Sequence, residues 1–145
     1  MHQYPHHYKV EARAETNQAV LLASEGLSTL ASLPPEQFGG PGDHWSPETL
    51  LVAAMADCFI LTFRAIARAS QLEWLRLECE TDGILDRVDN VTRFTRFDIS
   101  ATLSVPAGTD EHKATRILQK AEAVCLVSNS LHAEKHLQVR IETVA

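Results

Sequence analysis

The sequence is organised around one long apolar stretch, which reads SPETLLVAAMADCFILTFRAI at residues 46–66. Ser46 suits the N-cap of a helix, Pro47 suits its first position, and Glu48 places negative charge in the first turn. No glycine or proline interrupts the segment that follows, so the pattern predicts a helix over 47–70, about 36 Å long. Apolar side chains on nearly all sides are typical of a helix that is covered from several directions.

One small sheet would cover only one side of this helix. We therefore expect a second copy of the chain to cover another side, and the sequence predicts a homodimer. The stretch is also long and apolar enough to suggest a membrane span, but Asp57 and Arg64 lie inside it. Because each charge is costly at the centre of a bilayer, we expect a core helix and no membrane partner.

The rest of the chain alternates apolar and polar residues with the period of two that is typical of strands. Strands are predicted at 8–16, 19–23, 74–81, 94–105 and 137–144, with a second helix at 111–124. The resulting order is β-β-α-β-β-α-β. It predicts an α+β fold over a single domain, 1–145, with a mainly antiparallel sheet and a long buried central helix.

Composition excludes several classes of protein. The 145 residues carry 13 Lys and Arg against 19 Asp and Glu, a formal net charge of −6. No surplus of positive charge is present to meet phosphates, so we expect no nucleic-acid partner. This length buries a core without structural metals or disulfides. The polar start of the chain does not resemble a signal peptide, and we expect a cytoplasmic protein.

The three cysteines, Cys58, Cys79 and Cys125, carry the functional information. An odd number argues against a closed disulfide framework, and the absence of a CxxC pair argues against a zinc ribbon or a thioredoxin-type motif. Cys79 lies on the apolar side of a predicted strand and is interpreted as a small core residue. From the residues alone, both core packing and redox chemistry stay open for Cys58 and Cys125.

The segments SPETLLVAAMADCF at 46–59 and AEAVCLVSNSL at 121–131 resemble the signatures of the OsmC/Ohr family, the osmotically inducible and organic-hydroperoxide-resistance proteins. A Pro-Glu pair opens the long helix, and Cys58 follows Glu48 by ten positions, as the peroxidatic cysteine does in that family. The segment AEAVCLVSNSL at 121–131 is similar to the second family motif around Cys125, and a glycine pair at 39–40 precedes the helix. The resemblance covers essentially the whole chain.

The resemblance implies an OsmC-like intertwined homodimer and a thiol-dependent peroxidase that reduces organic hydroperoxides. Cys58 would attack the peroxide as a thiolate and become a sulfenic acid, and Cys125 would condense with it to a disulfide. An external dithiol reductant would regenerate both thiols, and no metal or other cofactor is implied. Glu48 and an arginine would pair beside the thiolate, and Arg13 is the one arginine that precedes Glu48.

Other residues bear on the substrate, and two alternative functions stay open. Leu51, Met55 and Phe59 are predicted to line a pocket for the alkyl tail of the peroxide. Leu126 stands where the family commonly has proline, a change that would alter the turn and the reach of Cys125. Two alternatives stay open: a non-catalytic module that binds an apolar ligand at the dimer interface, and a structural stress protein with inert cysteines.

Overall fold

The structure is a computed structural model that describes residues 1–145. Its elements, in chain order, are β1 (Glu11–Arg13), β2 (Val20–Ala23), β3 (Leu30–Ser32), a 3-10 turn (Glu36–Phe38), α1 (Pro47–Ala69), β4 (Arg76–Val88), β5 (Val91–Pro106), α2 (Glu111–Val124), α3 (Leu126–Asn129) and β6 (Glu134–Val144). This order confirms the α+β class. The elements form two compact units, Met1–Leu50 and Leu51–Ala145, so a single domain over 1–145 stays a prediction.

The first unit contains an antiparallel sheet in the order β1-β2-β3. β3 is absent from the predicted strands, because a strand of three residues is too short to show alternation. Ser32, at the end of β3, pairs with Trp45, whose carbonyl accepts a hydrogen bond from the Leu33 amide at 3.0 Å. The next residue, Ser46, accepts a hydrogen bond at Oγ from the Thr49 amide at 3.1 Å, which confirms the predicted N-cap of α1.

The second unit contains a separate sheet in the order β4-β5-β6. β4 and β5 are antiparallel, and Asp89 and Asn90 turn the chain between them with φ of 51° and 63°. Such left-handed pairs match the twist of a hairpin. β6 returns through α2 and α3 to lie parallel to β5. The strands are mainly antiparallel, as predicted, but they form two three-stranded sheets.

The core of the second unit lies between the sheet and the two longer helices. α1 contributes one fully buried stripe with a spacing of four residues: Met55, Phe59, Phe63 and Ala67. The core-facing residues of β5 and α2 pack against this stripe. The other sides of α1 are half-buried or exposed, and Leu61 is 51% exposed. By length and composition α1 could span a membrane, but its stripe packs within this core.

Candidate active site

Cys58 lies in the middle of α1, one position before the buried stripe residue Phe59. A helix turns by 100° at each residue, so Cys58 lies beside the stripe and is half-buried. Thr62 follows one turn later on the same side of the helix, and its Oγ1 lies 3.8 Å from the Cys58 sulfur. Thr62 is not among the site residues predicted from the sequence, although its spacing of four residues from Cys58 indicates that the two side chains are neighbours on the helix.

Cys125 occupies the break between α2 and α3. It caps both helices, with φ of −61° and ψ of 116°, and its side chain is buried. Its amide donates to the Glu122 carbonyl at 3.3 Å, and its own carbonyl accepts from the Asn129 amide at 2.9 Å. The chain therefore leaves α2 and starts α3 at the residue that carries the thiol.

The fold brings this break to the middle of α1. The Cys125 thiol and the backbone N–H groups of Leu126 and Val127 lie close enough to the Cys58 sulfur to lower its pKa. Both cysteines are free thiols. The two residues that the family motifs single out therefore meet in one chain.

The surroundings shift the two thiols in opposite directions. Burial tends to raise the pKa of Cys58, but hydrogen bonds from Val127 N–H, the Cys125 thiol, the Thr62 hydroxyl and Leu126 N–H together lower it below its ordinary value. None of these groups is a cation. For Cys125, burial dominates and the neighbouring Cys58 adds to it, so its pKa rises to about 11 against the opposing Ser128 N–H. Cys58 is therefore the thiol of the pair that ionises first.

Polar side chains anchor the segment that carries Cys125. The hydroxyl of the buried Ser128 donates to Glu122 Oε1 at 2.7 Å, and the Asn129 side-chain amide donates to the Ala123 carbonyl at 3.2 Å. Ser128 and Asn129 belong to the short helix α3. These contacts fix α3 against the end of α2.

Leu126 is the first residue of α3, and its side chain is 71% exposed. The first position of a helix accepts proline, because its N–H has no partner within the helix. Leucine keeps the backbone N–H, and here that N–H donates to the Cys58 sulfur. The departure from the family pattern therefore leaves Cys125 next to Cys58 and adds a donor.

The other predicted site residues lie in varied surroundings. Glu48 is half-buried in the first turn of α1, and its Oε2 is buried with no hydrogen-bond partner. Arg13 ends β1 and is exposed, as a strand residue. Met55 and Phe59 are fully buried in the core of the second unit, and Leu51 is half-buried. Contact of these three with a substrate stays a prediction.

Cys79 differs from the other two cysteines. It lies in β4, packs against the core as a half-buried residue, and has its sulfur 3.5 Å from the Thr81 hydroxyl. Burial raises the pKa of the Cys79 thiol, which is the behaviour of a small core residue. No group of three or more His, Cys, Asp or Glu side chains is arranged to hold a metal ion.

Comparison with known families agrees with this fold. Residues 40–140 match the family model described as OsmC-like protein. The chain therefore belongs to the OsmC-like family, and the resemblance found in its two cysteine motifs is confirmed.

Individual relatives give the same result. The chain is 30% identical to the uncharacterized protein YmaD of Bacillus subtilis over 92% of each chain. It is 31% identical to the peroxiredoxin OsmC of Escherichia coli over 68% of each. Among solved structures, an OsmC-like protein of unknown function from Vibrio cholerae superposes with a TM-score of 0.82 at 17% identity, covering 93% of this chain and 99% of the other.

Proposed function

We propose that this chain is a thiol-dependent peroxidase that reduces organic hydroperoxides, with Cys58 as the peroxidatic and Cys125 as the resolving cysteine. One observation supports the proposal: the two thiols are neighbours that shift each other's pKa, and the pKa of Cys58 is lowered while burial raises that of Cys125 to about 11. A nucleophile that attacks an O–O bond must be a thiolate, and Cys58 is the thiol that ionises more easily.

The first step oxidises Cys58. Its thiolate attacks one oxygen of the hydroperoxide, the O–O bond breaks, and the sulfur loses two electrons to become a sulfenic acid. The other oxygen leaves as an alkoxide and takes up a proton to give the alcohol. Cys125 does not compete in this step, because at neutral pH its thiol stays protonated.

The second step forms the disulfide. Part of the raised pKa of Cys125 comes from its hydrogen bond to Cys58 and from the charge of the Cys58 thiolate, and both effects weaken once Cys58 is an uncharged sulfenic acid. Cys125 then ionises more readily, and its thiolate attacks the Cys58 sulfur to form the S–S bond. The S–O bond breaks, and the leaving hydroxide takes up the proton that Cys125 lost to give water. A dithiol reductant supplies the two electrons that restore both thiols, and its own thiols become a disulfide.

Two further residues enter the proposal from the family resemblance. Glu48 has a buried carboxylate oxygen without a hydrogen-bond partner, and such an oxygen favours a cationic neighbour. We assign Arg13 as the arginine that pairs with Glu48, in this chain or in a second copy. Leu51, Met55 and Phe59 are the apolar residues assigned to the alkyl tail of the peroxide.

The proposed assembly is a cytoplasmic homodimer. The fully buried residues of α1 lie on one side of the helix, whereas Leu61, on another side, is 51% exposed. Leu75 and Val91 in the same unit are also more than half exposed. A second copy would bury apolar surface of this kind, which contributes about 25 cal/mol for each Å² removed from water. Sedimentation velocity of the purified protein tests the dimer.

The test of the function is one turnover with a stoichiometric amount of cumene hydroperoxide. We expect peptide mass spectrometry to find a Cys58–Cys125 disulfide in the wild-type chain and in the matched control Cys79→Ser. The Cys58→Ser variant is expected to leave the peroxide unconsumed. Free thiols after treatment of the wild-type chain would overturn the peroxidase and favour the alternative, a module that binds an apolar ligand.

A further inference from the structure

Thr62 is the one side chain on α1 that contacts the Cys58 sulfur through a polar atom, at 3.8 Å between Oγ1 and Sγ. We propose that Thr62 is a catalytic residue of the Cys58 site, because its hydroxyl donates a hydrogen bond to the sulfur and favours the thiolate form. This inference rests on the proposed role of Cys58 as the nucleophile and adds a residue that the family motifs do not include.

Helix geometry brings the two groups together. Side chains in an α-helix tilt towards the N-terminus, so a residue four positions later leans over the earlier one. Threonine is branched at Cβ and has few rotamers in a helix, which limits the positions that its hydroxyl can occupy. Its hydroxyl can also bond the backbone carbonyl four residues earlier. In this structure the hydrogen bond of the Thr62 side chain goes to the Cys58 sulfur instead.

The direction of this hydrogen bond depends on the charge of Cys58. While Cys58 is protonated, either group can donate, and sulfur is weak in both roles. A thiolate has no proton, so Thr62 must donate to it, and a bond to a charged acceptor is stronger than a neutral one. The bond is therefore worth more after ionisation than before, and it shifts the equilibrium towards the thiolate.

The local environment increases the importance of this bond. Cys58 and Thr62 are both half-buried beside the fully buried Phe59 and Phe63, so water screens the bond less than it would at the surface. The groups that lower the pKa of Cys58 are neutral donors, and two of them are backbone N–H groups. Thr62 is the hydroxyl donor among them, and a side-chain substitution removes it without altering the backbone.

The experiment compares Thr62→Val with Thr62→Ser in the full chain. Valine matches the shape of threonine without the hydroxyl, and serine keeps the hydroxyl without the methyl group. Peptide-resolved mass spectrometry follows the alkylation of Cys58 by iodoacetamide as a function of pH. We expect the pH midpoint of Cys58 alkylation in Thr62→Val to lie about one pH unit above that of the wild type. At a pH below both midpoints, this shift lowers the thiolate fraction roughly tenfold. Thr62→Ser is expected to stay close to the wild type.

Alkylation separates this inference from the proposed function, because it needs no peroxide. An unchanged midpoint in Thr62→Val, with the same thermal unfolding as the wild type, would overturn the role of Thr62. If Thr62→Val unfolds, Thr62→Ala supplies a second hydroxyl-free chain for the same measurement. A shifted midpoint in a protein that consumes no peroxide would support Thr62 and refute the peroxidase.

Discussion

The thiols of Cys58 and Cys125 lie close enough together to shift each other's pKa, although one lies in the middle of α1 and the other at the break between α2 and α3. Burial of Cys125 and the donors around Cys58 make the pair chemically unequal. The lowered pKa of Cys58 suits a nucleophile, and the pKa of about 11 of Cys125 suits a thiol that reacts second. Four predictions test this arrangement and the core that supports it.

Replacing Cys125 with serine separates the two proposed steps, oxidation of Cys58 by the peroxide and formation of the disulfide. We expect Cys125→Ser to form the sulfenic acid on Cys58 in the first turnover but no intramolecular disulfide. With excess hydroperoxide, Cys58 is then expected to reach the irreversible sulfinic acid, since no thiol competes for the sulfenic acid. Dimedone labelling and intact-mass measurement report the two products. Wild-type levels of sulfinic acid in the variant would contradict a resolving role.

The variant Leu126→Pro tests whether the backbone N–H of Leu126 lowers the pKa of Cys58. Leu126→Pro removes the N–H that donates to Cys58, and proline suits both the first position of α3 and the extended Cys125 before it. We expect the pH midpoint of Cys58 alkylation to rise, since the folded protein loses a donor that favours the thiolate. Leu126→Ala keeps the N–H and is the matched control. A rise of equal size in both variants would indicate a packing effect of the leucine side chain.

The hydrogen bond from Ser128 to Glu122 anchors the segment that carries Cys125, the proposed resolving cysteine. Ser128→Ala removes a buried donor at 2.7 Å from a carboxylate oxygen, and we expect a loss of about 1–3 kcal/mol in the free energy of unfolding. Disulfide formation is expected to slow, while sulfenic acid formation keeps its rate. Stopped-flow kinetics measures the rates of sulfenic acid and disulfide formation, and urea denaturation measures the free energy of unfolding. Ser130→Ala, at an exposed residue of the same segment, is the control.

The buried stripe of α1 contributes to the core of the second unit. Phe63 is fully buried and meets the Trp74 ring edge to face, with centroids 5.3 Å apart. We expect Phe63→Ala to lower the free energy of unfolding by about 3–5 kcal/mol, because it leaves a cavity in the core. Leu61→Ala, at an exposed position of the same helix, is expected to change it by far less. Chemical denaturation of the two variants measures the difference.

Local signals in the sequence predicted most of the elements. The Ser46-Pro47-Glu48 start predicted α1, and alternation predicted β4, β5 and β6. The predicted second helix matches α2, which Asp110 caps by accepting from the Lys113 amide at 3.1 Å. The family resemblance singled out Cys58 and Cys125. These features depend on residues that are close together in the chain, so a single sequence contains the information.

The sequence alone determined the helix start, the alternating strands and the two cysteine motifs. Only the tertiary structure decided that Cys125 lies against Cys58, that β6 is parallel to β5, and that Thr62 and the Leu126 amide reach the sulfur. The reason is physical. Propensity and periodicity act over a few residues, whereas the pKa of a thiol depends on burial and on donors that distant segments bring to it.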